Sequence, residues 1–159
     1  MQSMMKSAFL GLALAVLALG VLAQATKNPE LGVWKLNLAK SKYNPGPPVQ
    51  ANTLTMEAAG NDVKYSSKGV DSDGKATAQE YLANYEGKDT PLKGSAIADS
   101  TSQKRIGDWT VERVVKKEGK VTSTIRREYA KDGKSMTARV TGTNSKGATV
   151  DNLLFYDRI

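Results

Sequence analysis

Two arginines stand where the surrounding pattern calls for apolar side chains. Arg113 falls in the alternating row of Trp109, Val111 and Val115, and Arg127 in the row of Val121, Ile125 and Tyr129. A guanidinium turned toward an interior is costly unless it is paired or faces water or an anionic ligand. Its rigid fork of N–H donors suits an acidic head group. The competing reading puts both arginines at the rim of the fold, or has a β-bulge flip the parity of their strands. Tyr65, Tyr81, Tyr85, Tyr129 and Tyr156 fall on similar rows. Together with Trp109 they would line an interior that is apolar in area yet offers hydroxyls, which suits an amphipathic ligand. Core packing explains any one of these tyrosines taken singly.

Other chemistry is thin. The chain has no His and no Cys, which removes the commonest general base, thiolate nucleophiles, His-ligated haem and ordinary zinc sites. Ser72-Asp73-Gly74-Lys75 has the Ser-x-x-Lys spacing but sits in a turn and lacks companion motifs. Asp71-x-Asp73-Gly74 lacks the further acids and distal Glu of a calcium loop. Glu80, Glu112 and Glu128 alternate away from the apolar rows, toward solvent. The expectation is a protein that is not an enzyme, with no metal site and no cofactor.

The elements that position these residues are strands. Leu31–Leu38 puts Trp34, Leu36 and Leu38 on one face and Lys35 and Asn37 on the other, the period of a half-buried strand. Gly32 shares the Trp34 face and leaves room for a ring or a close backbone. Ala39–Gln50 contains Pro45-Gly46-Pro47-Pro48, which forbids helix and favours an extended loop. Short alternating segments follow, at Thr53–Ala58, Val63–Gly69, Ala76–Tyr85, Thr90–Lys93, Ser100–Ile106, Trp109–Lys117, Lys120–Ala130, Ser135–Thr143 and Ala148–Arg158. Turn residues separate nearly all of them, Asp132-Gly133 being the strongest hairpin signal. That makes about ten strands and no convincing helix. Neighbours joined by short connections pair antiparallel. A meander this long exposes two edges unless it closes, so an all-β, up-and-down antiparallel barrel is favoured over a Greek-key sandwich.

Residues 1–25 read as a signal peptide. Lys6 precedes the apolar run Ala8–Leu22, and Ala23-Gln24-Ala25 offers a small-x-small cleavage site. The run is short of the roughly 20 residues of a membrane span, so no stable membrane anchor is expected after cleavage. Residues 26–159 then form one barrel domain, large enough to build a core without disulfides. Of the 159 residues, 23 are Lys or Arg and 16 Asp or Glu, for a net charge of +7. The excess is scattered, with only Lys116-Lys117 and Arg126-Arg127 adjacent. A nucleic-acid partner is not expected from so dispersed a charge.

Gly32-x-Trp34 opening the first strand, the serial hairpins and the terminal Tyr156-Asp157-Arg158 resemble the calycins, that is lipocalins and fatty-acid-binding proteins. Gly32 to Tyr43 followed by Asn44-Pro45-Gly46-Pro47-Pro48, with Thr143-Asn144 and Tyr156 near the end, is similar to small exported bacterial lipocalin-like domains of unassigned function. The resemblance implies a barrel holding a small apolar or amphipathic molecule. It also implies that a basic residue, here Arg158, covers Trp34 and closes the barrel with Gly32, through a cation–π contact of roughly 0.5–2 kcal/mol. The alternative is that Trp34 alone plugs the barrel and Arg158 frays. Two features depart from the fatty-acid-binding pattern. The proline-rich connection cannot form a two-helix lid, and Leu154 stands where those proteins carry an inward Arg.

The function expected is an exported, periplasmic or secreted, monomeric barrel that binds a ligand without chemistry. Its candidate site residues are Tyr65, Tyr81, Tyr85, Trp109, Arg113, Arg127, Tyr129 and Tyr156. The alternative is a structural or interaction module whose barrel is filled by its own side chains.

Overall fold

The computed structural model describes residues 28–144 and 146–159; the leader expected over residues 1–25 lies outside them. Alternation carries through to ten strands: β1 (Gly32–Leu36), β2 (Ala51–Ala59), β3 (Asp62–Val70), β4 (Ala76–Ala83), β5 (Thr90–Pro91), β6 (Ser100–Gly107), β7 (Thr110–Lys117), β8 (Lys120–Tyr129), β9 (Ser135–Thr143) and β10 (Thr149–Arg158). All pairings are antiparallel, in the order β4-β3-β2-β1-β10-β9-β8-β7-β6-β5. The sheet is an up-and-down meander whose first and last strands lie side by side. Glu80 in the edge strand β4 and Lys93, two residues past β5 at the other edge, exchange both backbone hydrogen bonds, at 3.1 and 2.9 Å. The edges thus meet, and the sheet curls into a nearly closed barrel.

The meander sorts the connections to two ends. The β2–β3, β6–β7 and β8–β9 hairpins lie at one end, the floor. The β1–β2 connection and the β3–β4, β7–β8 and β9–β10 turns lie at the other, the mouth. The Asp132-Gly133 turn forms as read, with Gly133 at φ +70°. Toward the floor the inward rows are large and apolar: Trp34, Met56, Val63, Val111 and Met136 are buried. Tyr129 packs its ring 5.5 Å from that of Trp34.

Trp34 is fully buried and faces Leu54 on β2 and Arg158 on β10. The Arg158 guanidinium lies over its indole, 4.2 Å from the ring centre, and donates to the carbonyls of Leu31, Pro29 and Gly133. Arg158 is therefore fixed rather than frayed. Its Nη1 would lie 2.7 Å from any Cβ placed on Gly32, whose φ is +132°. Gly32→Ala should destabilise the protein by roughly 1–3 kcal/mol through backbone strain alone, and should lift Arg158 off the indole. Urea unfolding followed by Trp34 emission checks both.

Three sequence expectations change. The first strand stops at Leu36, not Leu38: Asn37 caps a 3₁₀ turn at Leu38–Lys40, which rotates Leu38 out to 41% exposure. The fourth strand ends at Ala83, and Tyr85 lies past it at φ +57°. Bulges do flip parity, but away from the arginines. One in β8 sets Val121 opposite Lys116 while Ser123 stays opposite Val115, leaving Val121 61% exposed. Another in β6 lies between Arg105 and Gly107, so the hairpin turns through Asp108 and Trp109 and the inward row ends at Val111.

Candidate functional site

Above the floor the barrel is hollow. A cavity of about 420 Å³ reaches the mouth and is lined by residues of every strand from β1 to β4 and β7 to β10. Its mouth end is mixed, with Val49 from the proline-rich connection, Val70 and Ile97 beside Asn52, Asp71 and Thr77. That connection is held along β10, where Lys42 pairs with Leu153 and Asn44 accepts from the Asp151 amide at 2.8 Å.

Both arginines point in. Pairing sets Arg113 opposite Ile125 and Arg127 opposite Val111, so they are diagonal neighbours on adjacent strands, with Cβ atoms about 7–8 Å apart. Both are more than nine-tenths buried, and both line the cavity. The Arg113 guanidinium stacks 4.0 Å from the Tyr81 ring centre, and its Nε donates to Thr101 Oγ1 at 2.9 Å. Arg127 lies 5.1 Å from the Tyr65 ring centre, and its Nη1 donates to the Tyr81 hydroxyl and to Gln103 Oε1, each at 3.4 Å. Tyr65 and Tyr81 stack on each other at 4.7 Å. Burial lowers the Arg113 pKa to about 10, still charged at neutral pH. Burial opposes the charge on Arg127 too, but Tyr81, Tyr129 and Glu30 outweigh it and its pKa rises.

Three buried side-chain polar atoms have no hydrogen-bond partner among the described residues: Arg113 Nη2, Arg127 Nε and the Tyr43 hydroxyl. All three belong to residues that line this cavity. Nearly all buried polar groups in folded proteins find a partner; these three atoms expose almost no surface, so they lie within the cavity wall, and a ligand's acceptors reach them only when the side chains turn toward the space.

Between cavity and floor lies a polar cluster centred on Glu30, a residue just before β1. Its side chain is fully buried. It accepts from the Tyr65 hydroxyl, the Tyr85 hydroxyl at 2.7 Å, Gln103 Nε2 at 3.2 Å and Arg105 Nη2 at 2.9 Å. Its own carbonyl accepts from the Trp34 indole N–H at 2.8 Å. Desolvation raises the Glu30 pKa despite the opposing pull of Tyr85, Arg105, Arg127 and Gln103. Tyr85 is pushed upward by its burial and by the carboxylate beside it.

Of the eight residues expected in a ligand site, Tyr65, Tyr81, Arg113, Arg127 and Tyr156 line the cavity. Tyr156 is held by its hydroxyl, which donates to Asn52 Oδ1 at 3.0 Å. Three do not line it. Tyr129 belongs to the floor, against Trp34. Tyr85 is turned to Glu30 by the early end of β4. Trp109 sits in the β6–β7 turn, 37% exposed. The sequence reading missed Glu30, Thr101, Gln103 and Tyr43. Glu30 lies outside any strand and carried no signal. Thr101 and Gln103 alternate in a strand polar on both faces, and only the register that sets Gln103 opposite Arg113 shows which row points in.

No protein-family model matches the chain, and no curated protein sequence matches it either. The site must therefore be argued from its own geometry. Among the acids weighed earlier, Glu80 and Glu128 lie outside it: Glu80 pairs with Lys64 at 3.1 Å and Glu128 with Arg126 at 3.0 Å. Asp71 folds its own turn, accepting from the Asp73 and Lys75 amides.

Proposed function

We propose that the chain is an exported calycin-like carrier, acting as a monomer, that takes a small amphipathic molecule into the barrel without transforming it. The anionic head lies against Arg113 and Arg127, and the apolar body extends between Leu36, Leu54 and Ile125 toward Val49 and Ile97 at the mouth. The observation that carries this reading is the pair of buried arginines lining one open cavity, neither within ion-pair distance of a carboxylate among the described residues. A buried charge without a partner is costly, and an anionic head offsets that where an alkyl group cannot. The volume falls in the roughly 300–1,000 Å³ range of small-molecule sites, which weighs against a barrel filled by its own side chains.

The test is native mass spectrometry of the purified chain, together with titration by the fluorescent anionic dye ANS. A single bound dye per chain is expected, displaced by long-chain anionic amphiphiles and bound about tenfold more weakly by Arg127→Met. A bare protein mass with no dye uptake, or dye binding indifferent to Arg127→Met in a folded variant, would remove the proposal.

A further inference from the structure

The charges around the cavity do not balance, and the imbalance specifies the head group. Glu30 is the buried carboxylate of the cluster, and Arg105 sits on it at 2.9 Å from the floor side. That leaves Arg113 and Arg127, each more than nine-tenths buried and neither within ion-pair distance of a carboxylate among the described residues. The one acidic side chain on the cavity wall is Asp71 at the mouth, occupied by the amides of its own turn. Two like charges lie on adjacent strands in a low-dielectric space, and they repel one another. Glu30 acts on Arg127 as well as on Arg105, but not at ion-pair distance, so the pair keeps a net positive charge that a doubly charged head compensates more fully than a singly charged one. Two guanidinium groups from different residues line the same space, so a head with several acceptor oxygens can engage both.

Resting on the carrier reading above, we infer that the cavity selects amphiphiles with a compact dianionic head of the phosphate-monoester kind over those whose head carries a single charge. Arginine forks on two sides of a tetrahedral group engage different oxygens, which a single point charge does not require. The same chemistry would be offered by a phosphorylated lipid-like molecule or by free phosphate, and the apolar wall between Leu36 and Ile97 favours the former.

Four probes decide it, titrated calorimetrically into the full chain: decyl phosphate, decyl sulfate, decanol and inorganic phosphate. Decyl phosphate and decyl sulfate share shape and tail. Above the second phosphate pKa of about 6 they differ by one charge, and well below it they carry the same charge. At pH 7.5 decyl phosphate should bind at least tenfold more tightly than decyl sulfate, and at pH 5 the ratio should fall close to one. An ionised Glu30 opposes a doubly charged head more than a singly charged one, so its charge works against the expected ratio at pH 7.5 and cannot produce it. Gln79 and Gln103, which also stand beside the arginines, carry no charge at any pH.

Sulfate binding as tightly as phosphate at pH 7.5 would overturn the dianion inference while leaving the carrier intact. Decanol binding as tightly as either would overturn the anionic head itself, and no binding by any probe would overturn the carrier. Inorganic phosphate matching decyl phosphate would keep the dianion and overturn the tail. Arg113→Gln and Arg127→Gln should each bring the pH 7.5 ratio toward one. If either fails to fold by circular dichroism, the wild-type ratio at the two pH values still decides.

Discussion

Replacing Trp34 by alanine should cost about 3–5 kcal/mol of stability, the largest loss expected of any single side chain in the barrel. The indole is fully buried and meets Leu54 and Arg158 across both neighbouring strands. Its removal opens a void between Tyr129 and the Arg158 guanidinium. The void is only part of the loss. Arg158 would keep its three carbonyl partners but lose the ring beneath it, and the Glu30 carbonyl would lose the indole N–H. Equilibrium urea unfolding, read by far-ultraviolet circular dichroism because the variant lacks one of the two tryptophans, measures the difference. A loss below about 1 kcal/mol would mean that the floor is not organised on this residue.

Glu30→Ala should cost on the order of 3 kcal/mol, because it strips an acceptor from two buried tyrosine hydroxyls and from Gln103 and frees Arg105. Glu30→Gln keeps the shape and isolates the charge. Burial raises the folded-state pKa of Glu30 above its ordinary value of 4.5, so the native state holds this proton more tightly than the unfolded chain does. The stability that protonated Glu30 contributes is complete below pH 4.5 and is lost as pH rises through the folded value. Wild type should therefore lose ground to Glu30→Gln as pH increases. The exposed carboxylates Asp99, Asp151 and Glu86 have lowered pKa values and act in the opposite sense in acid. They are present in both proteins and cancel in the difference. Parallel stability curves from pH 4 to 8 would show that Glu30 does not titrate differently on folding.

How far the chain could be read without coordinates depended on how regular each strand is. The inward face of Trp34 was legible because its parity is unbroken from Gly32 to Leu36, whereas Arg158 as its cover came from the family resemblance alone; the inward arginines were legible because their rows hold on both sides of them. Errors fell where one residue is added or a strand ends early. The bulge in β6 turned Trp109 out, the bulge in β8 turned out Val121, and a left-handed residue past Ala83 sent Tyr85 to the floor. A bulge adds no distinctive residue type, so alternation alone does not announce it. Glu30 was invisible for a different reason. Its burial is set by groups far along the chain, Tyr65, Tyr85, Gln103 and Arg105, that no local pattern gathers.

The bond from Arg158 to the Leu31 carbonyl joins residues 127 positions apart. During synthesis β1 has β2 for company long before β10 exists, and its other edge stays open until β10 is made. Such distant pairing is slow to form. Completion of the ring is thus a late event that waits on β10, and until then the growing sheet carries the open edge of β1.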